Sequence, residues 1–177
     1  MIRFHHTAFA DAWLIEPEPV LDERGFFART FCIRDFSERG LENGFVQHAT
    51  SRSNRKGTLR GMHFQKEPYG EVKVVTCLRG AILDVIVDLR PDSATYLKWA
   101  AFELTSENLR RLYIPKGFAH GFQALTENAE VGYLLSAFYE PAAASGVRYN
   151  DPRIGIEWPL PMSVISEKDR TWPLLAE

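Results

Sequence analysis

The chain has 177 residues, 45% of them hydrophobic and 25% charged, with a formal net charge of −2. This composition is typical of a folded domain with a sizeable core and excludes a disordered chain. The apolar runs stop well short of the ~20 residues of a membrane helix, and the charge gives no attraction to nucleic acid.

The N-terminus lacks an apolar signal core, and no flexible linker divides the chain. Only two cysteines are present, Cys32 and Cys77, and we expect free, buried thiols in a reducing compartment rather than a disulfide. The sequence therefore predicts a single domain over residues 1–177, cytoplasmic, with neither membrane nor nucleic acid as partner.

The first third of the chain predicts two strands and a short helix. Loose alternation predicts a strand over residues 8–16, and an apolar run after a polar turn predicts another over residues 26–33. A helical period follows over residues 33–43, with Phe36 and Leu41 as its buried residues.

From residue 45 onward the pattern is dense and β. Short strands are predicted over residues 45–50, 58–65, 72–79, 81–88, 96–104, 111–114, 121–125 and 130–138. Because much of 72–87 is apolar on both alternating faces, these strands are expected to lie between two sheets. The sequence predicts an all-β sandwich or jelly roll, followed by an extended tail with a helical turn near 166–170.

One histidine lies in the apolar segment LRGMHFQ (59–65), three positions after Arg60. A lone core histidine is usually satisfied by one carbonyl, but an adjacent arginine requires an anion nearby, which favours a functional role for His63. Arg60 and His63 face opposite ways in a regular strand, so we expect a bulge at Gly61 to bring both into one pocket.

Other candidates have equally ordinary explanations. Lys73 is either an edge-strand lysine facing water or, if its strand is internal, a cation that ends in a cavity beside an anion. Tyr133 by default packs in the core with its hydroxyl satisfied, and Asp169 by default belongs to a solvated charge run.

His120 follows a Pro-x-Gly turn that presents an imidazole at the start of a strand. A jelly-roll metal site would need a His-x-His pair and a following glutamate, whereas the first segment offers His63 only. We therefore expect no metal.

These segments closely resemble the dTDP-4-dehydrorhamnose 3,5-epimerase family of metal-independent cupins. The matching segments are DERGFF (22–27), LRGMHFQ (59–65), GAILDVIVDLR (80–90), PKGFAHGF (115–122), NDPRIGIEWP (150–159) and SEKD (166–169). The resemblance covers nearly the whole chain and implies a cupin-type jelly roll with short flanking helices. It also implies epimerisation of a nucleotide-linked 4-keto-6-deoxy sugar without a cofactor.

Catalytic roles follow from the same resemblance. His63 falls at the catalytic base, Asp169 at its orienting carboxylate, Tyr133 at the general acid, and Lys73 near the C4 oxygen of the sugar.

Binding roles and a partner follow as well. The positions that hold the nucleotide diphosphate and sugar are Arg24, Gln47, Arg60, His120 and Lys168. The resemblance implies a homodimer in which Arg24 reaches into the partner's site.

The chain departs from the family pattern at four positions. Arg29 replaces an acid, Ala49 an asparagine, Thr76 an arginine and Leu134 a lysine. We take these positions to be close to the substrate, which leaves the sugar, the base and the number of epimerised carbons open. The alternatives are a 3-epimerase or keto-sugar isomerase, a non-catalytic sugar-nucleotide-binding protein, and a metal-dependent cupin oxygenase.

Overall fold

Short antiparallel strands dominate the computed structural model, which describes residues 1–175. The strands are β1 (Ile2–His6), β2 (Trp13–Pro17), β3 (Val20–Asp22), β4 (Gly25–Phe27), β5 (Gln47–Ser53), β6 (Leu59–Gln65), β7 (Lys73–Arg79), β8 (Ala81–Asp88), β9 (Trp99–Thr105), β10 (Arg111–Ile114), β11 (Phe118–Ala124), β12 (Ala129–Leu135) and β13 (Ala144–Gly146). The helices are α1 (Ile33–Ser37) and α2 (Glu167–Arg170). No helix in this range is long enough to cross a bilayer.

Two antiparallel sheets pack face to face. The six-stranded sheet has the order β1-β2-β10-β7-β12-β5, and the five-stranded sheet the order β13-β6-β11-β8-β9. β3 and β4 form a separate two-stranded hairpin. This arrangement confirms the predicted all-β, cupin-type jelly roll with short flanking helices.

Hydrophobic side chains form three layers. Between the sheets lie buried residues such as Val75, Ile86 and Phe122. Phe36 of α1 packs on the outer face of the six-stranded sheet, as predicted. The helix predicted over 33–43 ends at Ser37, and Leu41 is only half-buried. Ile154 of the C-terminal tail packs on the outer face of the five-stranded sheet. Both sheets are therefore covered, and the space between them is closed except where polar side chains replace the apolar ones.

The prediction of a strand over residues 26–33 was wrong beyond Phe27. Strand β4 ends there because Phe31 and Cys32 leave the hairpin to pack around Phe36 on the sheet. Strand β1, which carries two consecutive histidines, was not predicted.

The cysteine prediction is confirmed in one respect and wrong in another. Cys32 and Cys77 are both free thiols, but only Cys77 is buried. Burial raises the pKa of the Cys77 thiol to about 11, so it is protonated at neutral pH.

Candidate active site

A cavity of about 370 Å³ opens between the two sheets. A second cavity of about 410 Å³ continues it outward. The residues that line both are Arg60, His63, Lys73, Tyr133, Ser166 and Asp169. The pair of cavities forms one cleft, which we call the central cleft. Polar side chains thus replace apolar ones along one end of the jelly-roll interior.

His63 forms a close hydrogen-bonded pair with Asp169. The Nε2 atom of His63 lies 2.5 Å from Oδ1 of Asp169, although 106 positions separate them in sequence. Asp169 is held by α2, whose N-cap Ser166 accepts the backbone N–H of Asp169, and its second oxygen accepts the backbone N–H of Gly61. Although burial opposes it, the hydrogen bonds from His63 and Gly61 hold the pKa of Asp169 below its ordinary value. Asp169 is therefore a carboxylate at neutral pH, and its contact with Nε2 leaves Nδ1 of His63 outside this pair.

Arg60 reaches the same cleft because strand β6 contains a bulge. His120 of β11 pairs with His63, but two residues further along Phe122 pairs with Arg60, so β6 has one extra residue. Gly61 adopts a φ of +130° there, and an added Cβ would lie 2.5 Å from the Cα of Gly121. The expected bulge at Gly61 is confirmed.

Tyr133 faces the cleft from the opposite sheet. Its hydroxyl lies 2.8 Å from Oγ of Ser51, and its ring packs edge-to-face 6.3 Å from the ring of His120. Burial raises the pKa of Tyr133 to about 12, so the phenol is protonated at neutral pH. The cleft therefore has a carboxylate-paired imidazole on one sheet and a protonated phenol on the other.

Lys73 lies on an internal strand, since β7 runs between β10 and β12. Its ammonium lies 3.3 Å from Glu71 and 3.5 Å from the carbonyl oxygen of His63, with only 11% of the side chain exposed. The second of the two explanations for Lys73 is the one observed: a cation in a cavity, beside an anion.

His120 forms a second histidine–carboxylate pair, with Nε2 lying 2.6 Å from Oδ1 of Asp84. Asp84 is fully buried, and burial raises the pKa of its carboxyl group despite the imidazole. Sequence reasoning missed Asp84, as it missed Ser51 and Glu71. The available signal was an aspartate in the middle of the apolar strand β8, which is costly without a partner.

The remaining predicted binding residues are more scattered. Lys168 lines the outer part of the cleft, with its ammonium 5.2 Å from the ring centroid of Trp172. The amide oxygen of Gln47 accepts the backbone N–H of Tyr139. Arg24 lies outside the cleft, on the exposed β3–β4 hairpin, where it pairs with Asp22 at 2.6 Å.

The structure corrects the interpretation of two departures from the family pattern. Thr76 and Leu134 do not line the cleft, because side chains alternate along a strand and Lys73 and Tyr133 take the inner face. Both lie on the outer face of the six-stranded sheet. Ala49 does line the cleft, and Arg29 is exposed.

Within residues 1–175, no three His, Cys, Asp or Glu side chains are grouped as metal ligands would be. The ionisable groups of the cleft instead form pairs, His63 with Asp169 and His120 with Asp84. Such pairs suit proton transfer and the binding of anionic groups.

Comparison with known proteins identifies the family. The sequence profile described as dTDP-4-dehydrorhamnose 3,5-epimerase matches residues 6–177. A dTDP-4-dehydrorhamnose 3,5-epimerase from Methanothermobacter thermautotrophicus is 50% identical, over 99% of this chain and 95% of its own. The chain belongs to this epimerase family. As a member of the family, it is an enzyme of the isomerase class.

Solved structures of the family superpose closely. The dTDP-4-dehydrorhamnose 3,5-epimerase from Bacillus anthracis, with TDP and PPi bound, has a TM-score of 0.96 at 42% identity, covering 99% of this chain and 100% of that one. A 3′-monoepimerase from Streptomyces bikiniensis in complex with dTDP-quinovose has a TM-score of 0.90 at 33% identity, covering 96% and 86%. The family thus includes enzymes described as acting at two carbons and at one.

Proposed function

We propose that this chain epimerises a nucleotide-diphosphate-linked 4-keto-6-deoxy sugar at C3 and C5, converting dTDP-4-dehydro-6-deoxyglucose to dTDP-4-dehydrorhamnose. The observation that carries the proposal is the opposition of His63, paired with Asp169, to Tyr133 across one cleft. Epimerisation removes a proton from one face of a carbon and returns one to the other, and this arrangement provides for both steps.

The proposed chemistry balances without a redox cofactor or metal. The 4-keto group acidifies the C–H bonds at C3 and C5, so Nδ1 of His63 takes the proton while the electron pair moves onto the C4 oxygen. The Lys73 ammonium stabilises the resulting enolate. The Tyr133 hydroxyl then donates its proton to the opposite face of the carbon and the C4 carbonyl re-forms. Solvent restores both side chains, and the net change is an inversion.

Substrate binding is assigned to the cations and polar groups around the reacting residues. Arg60, His120, Lys168 and Gln47 hold the diphosphate and sugar. The outward-facing position of Lys168 and the imidazole of His120 beside the cleft support this assignment. Arginine and lysine suit a diphosphate because they offer several charged donors.

The proposal includes a homodimer in the cytoplasm that supplies deoxysugars for surface polysaccharide or a glycosylated metabolite. The β3–β4 hairpin supports the dimer, because it projects large apolar side chains into solvent: Phe26 is 58% exposed and Phe27 74% exposed. An exposed apolar surface of this kind is typical of one that a partner protein covers. Arg24, at the turn of the hairpin, reaches the partner's cleft.

A second candidate is epimerisation at C3 alone. Ala49 lines the cleft where the family pattern has an asparagine, and the similar Streptomyces bikiniensis protein is described as a 3′-monoepimerase. Loss of one amide near the sugar changes how the ring is held and therefore which carbon faces the base.

The decisive experiment is proton NMR in heavy water with a panel of nucleotide-linked 4-keto sugars. We expect deuterium at C3 and C5 with wild-type protein, none above background with His63→Ala, and residual exchange at one carbon with Tyr133→Phe. Tyr96→Phe, remote from the cleft, is the matched control and keeps the wild-type rate. Removal of a positioned acid or base typically costs ~10²–10⁴-fold.

Other outcomes of this experiment contradict the proposal in distinct ways. Exchange at C3 alone identifies the 3-epimerase. Binding of the sugar nucleotide without any exchange identifies a non-catalytic binding protein, and turnover that requires stoichiometric metal identifies a cupin oxygenase. Wild-type exchange by His63→Ala shows that another residue is the base.

A further inference from the structure

A separate cavity of about 200 Å³ lies on the outer face of the six-stranded sheet. Strands β5, β7, β10 and β12 form its floor, and the segment before α1 forms a wall. Its polar lining residues are Thr30, His48, Thr76, Arg111 and Tyr133. The six-stranded sheet lies between this cavity and the central cleft, and Tyr133 is the one lining residue that borders both. His63, Asp169 and Lys73 do not line the outer cavity.

Arg111 is a half-buried cation for which the described residues provide no anion. Its Nε atom is buried and has no hydrogen-bond partner in residues 1–175. Its neighbours across the sheet are Ile15 and Thr76, neither of which carries a charge. Burial lowers the pKa of the guanidinium to about 10, with no opposing contribution from a carboxylate. An unpaired buried charge is costly, and proteins normally provide a partner for it.

No other group in this cavity neutralises Arg111. No residue that lines it is an aspartate or glutamate. Glu130, on the neighbouring strand β12, lies 3.8 Å from Arg52 and is engaged there. The hydroxyl groups of Thr30 and Thr76 and the ring of His48 can all donate hydrogen bonds. The lining therefore combines one cation with several neutral donors.

Cavity size and lining together indicate which kind of group would fit. A volume of about 200 Å³ is several times the ~30 Å³ that a water molecule occupies in the liquid, so a tetrahedral or planar oxyanion fits. Thr76 and Leu134, two of the departures from the family pattern, are part of the lining.

We propose that this outer cavity is an oxyanion site, in which the guanidinium of Arg111 binds a phosphate or carboxylate group and the threonine hydroxyls complete its hydrogen bonds. The oxyanion comes either from free inorganic phosphate or from a carboxylate of a second copy of the chain. Both sources supply the same chemistry, a planar or tetrahedral group of negatively charged oxygens that a guanidinium binds through two donors.

The test follows the Arg111 Nε–H signal by ¹H–¹⁵N NMR on the intact protein. Arg111→Gln assigns the signal by its disappearance, and inorganic phosphate is then titrated against chloride at equal ionic strength. We expect a saturable shift with phosphate alone and a rise of several degrees in the wild-type Tm with phosphate. The Tm rise is absent in Arg111→Gln and retained in the control Arg110→Gln, whose residue is already paired with Glu16.

A carboxylate from a second copy predicts a different result. The Arg111 signal then does not respond to phosphate, and Arg111→Gln weakens self-association at least tenfold in sedimentation, while Arg110→Gln does not. Both results support the oxyanion site and distinguish its source. The proposal is overturned if the signal ignores phosphate and Arg111→Gln self-associates like wild-type protein. If Arg111→Gln does not fold, the same measurements are made on Arg111→Lys, which keeps the positive charge.

Discussion

Two histidine–carboxylate pairs lie in the central cleft, and they differ in how much water reaches them. The His63 side chain is 42% exposed, and its partner Asp169 6% exposed. The His120 side chain is only 5% exposed, and Asp84 is fully buried. An exposed imidazole beside an ionised carboxylate can take a proton from a bound molecule, whereas the enclosed pair is better suited to hold a polar group in place.

Replacement of Asp169 by Asn tests the first pair through both activity and stability. Asp169→Asn removes the charge that orients His63, so we expect kcat to fall by about 10²-fold or more. The folded-state pKa of Asp169 lies below its ordinary value of 3.8, so its stabilising contribution is fully present above about pH 4. That contribution is lost as the pH falls through the folded-state pKa.

Thermal unfolding of the two proteins between pH 3 and pH 7 checks this sign. The Tm of wild-type protein exceeds that of Asp169→Asn at neutral pH, and the difference narrows below about pH 4 as wild-type Asp169 becomes neutral. A difference that stays constant over this range, or widens in acid, contradicts the assignment of Asp169 as the ionised partner of His63.

At the scale of elements, the bulge in β6 determines which side chains share the cleft. An unbulged strand would turn either Arg60 or His63 toward the outer face. The bulge requires Gly61, because the backbone there has a φ of +130° and lies against Gly121 of β11. One glycine thus controls the relative position of a proposed phosphate-binding cation and the proposed base.

Gly61→Ala is expected to reduce stability and activity together. Gly25→Ala is its matched control, because Gly25 has a similar φ of +126° but nothing within 4 Å of an added Cβ. In urea unfolding we expect Gly61→Ala to lose about 1–3 kcal/mol more than Gly25→Ala, since only the former overpacks a buried contact. Displacement of His63 by about 1 Å also lowers kcat by ~10²-fold. Equal losses of unfolding free energy in the two variants would show that backbone strain, and not the contact with Gly121, causes the destabilisation.

At the scale of the whole molecule, the β3–β4 hairpin packs little against its own chain, since every residue of its two strands is exposed. Val20 is 67% and Leu21 75% exposed, in line with the exposure of the phenylalanines on the facing strand. Arg24 has 84% of its side chain in solvent and no place in the cleft of its own chain. These facts favour a subunit whose binding site is completed by a neighbour.

Mixed dimers test whether Arg24 acts in the partner's cleft. Arg24→Ala and His63→Ala are each expected to be poorly active alone. When the two are unfolded and refolded together, each mixed dimer has one cleft with an intact His63 and an intact partner Arg24. We therefore expect recovery of up to about a quarter of wild-type activity. If Arg24 served the cleft of its own chain, mixing would restore nothing.

Local patterns in the sequence carried most of the strand assignments, whereas the resemblance to the family supplied the candidate roles of Lys73, Tyr133 and Asp169. Short apolar segments between turn signals identify the strands around Lys73 and Tyr133, and the glycine before Met62 predicts the bulge, because these signals depend on neighbouring residues only. The burial of Phe36 and the helical turn near Ser166 were also predicted from neighbouring residues. The strand predicted beyond Phe27 failed because packing against distant residues overrode the local preference.

What the tertiary structure alone decided is which strands are neighbours and which face of each is inside. Asp169 is 106 positions from His63, and Asp84 is 36 positions from His120, so no local pattern links either pair. Likewise Thr76 and Leu134 cannot be assigned to the outer face until β7 and β12 are paired. The alternation of side chains along a strand is a local property that a short stretch of sequence reveals. Which side chains are buried, and which lie close together, is settled only when strands distant in sequence pair in the complete fold.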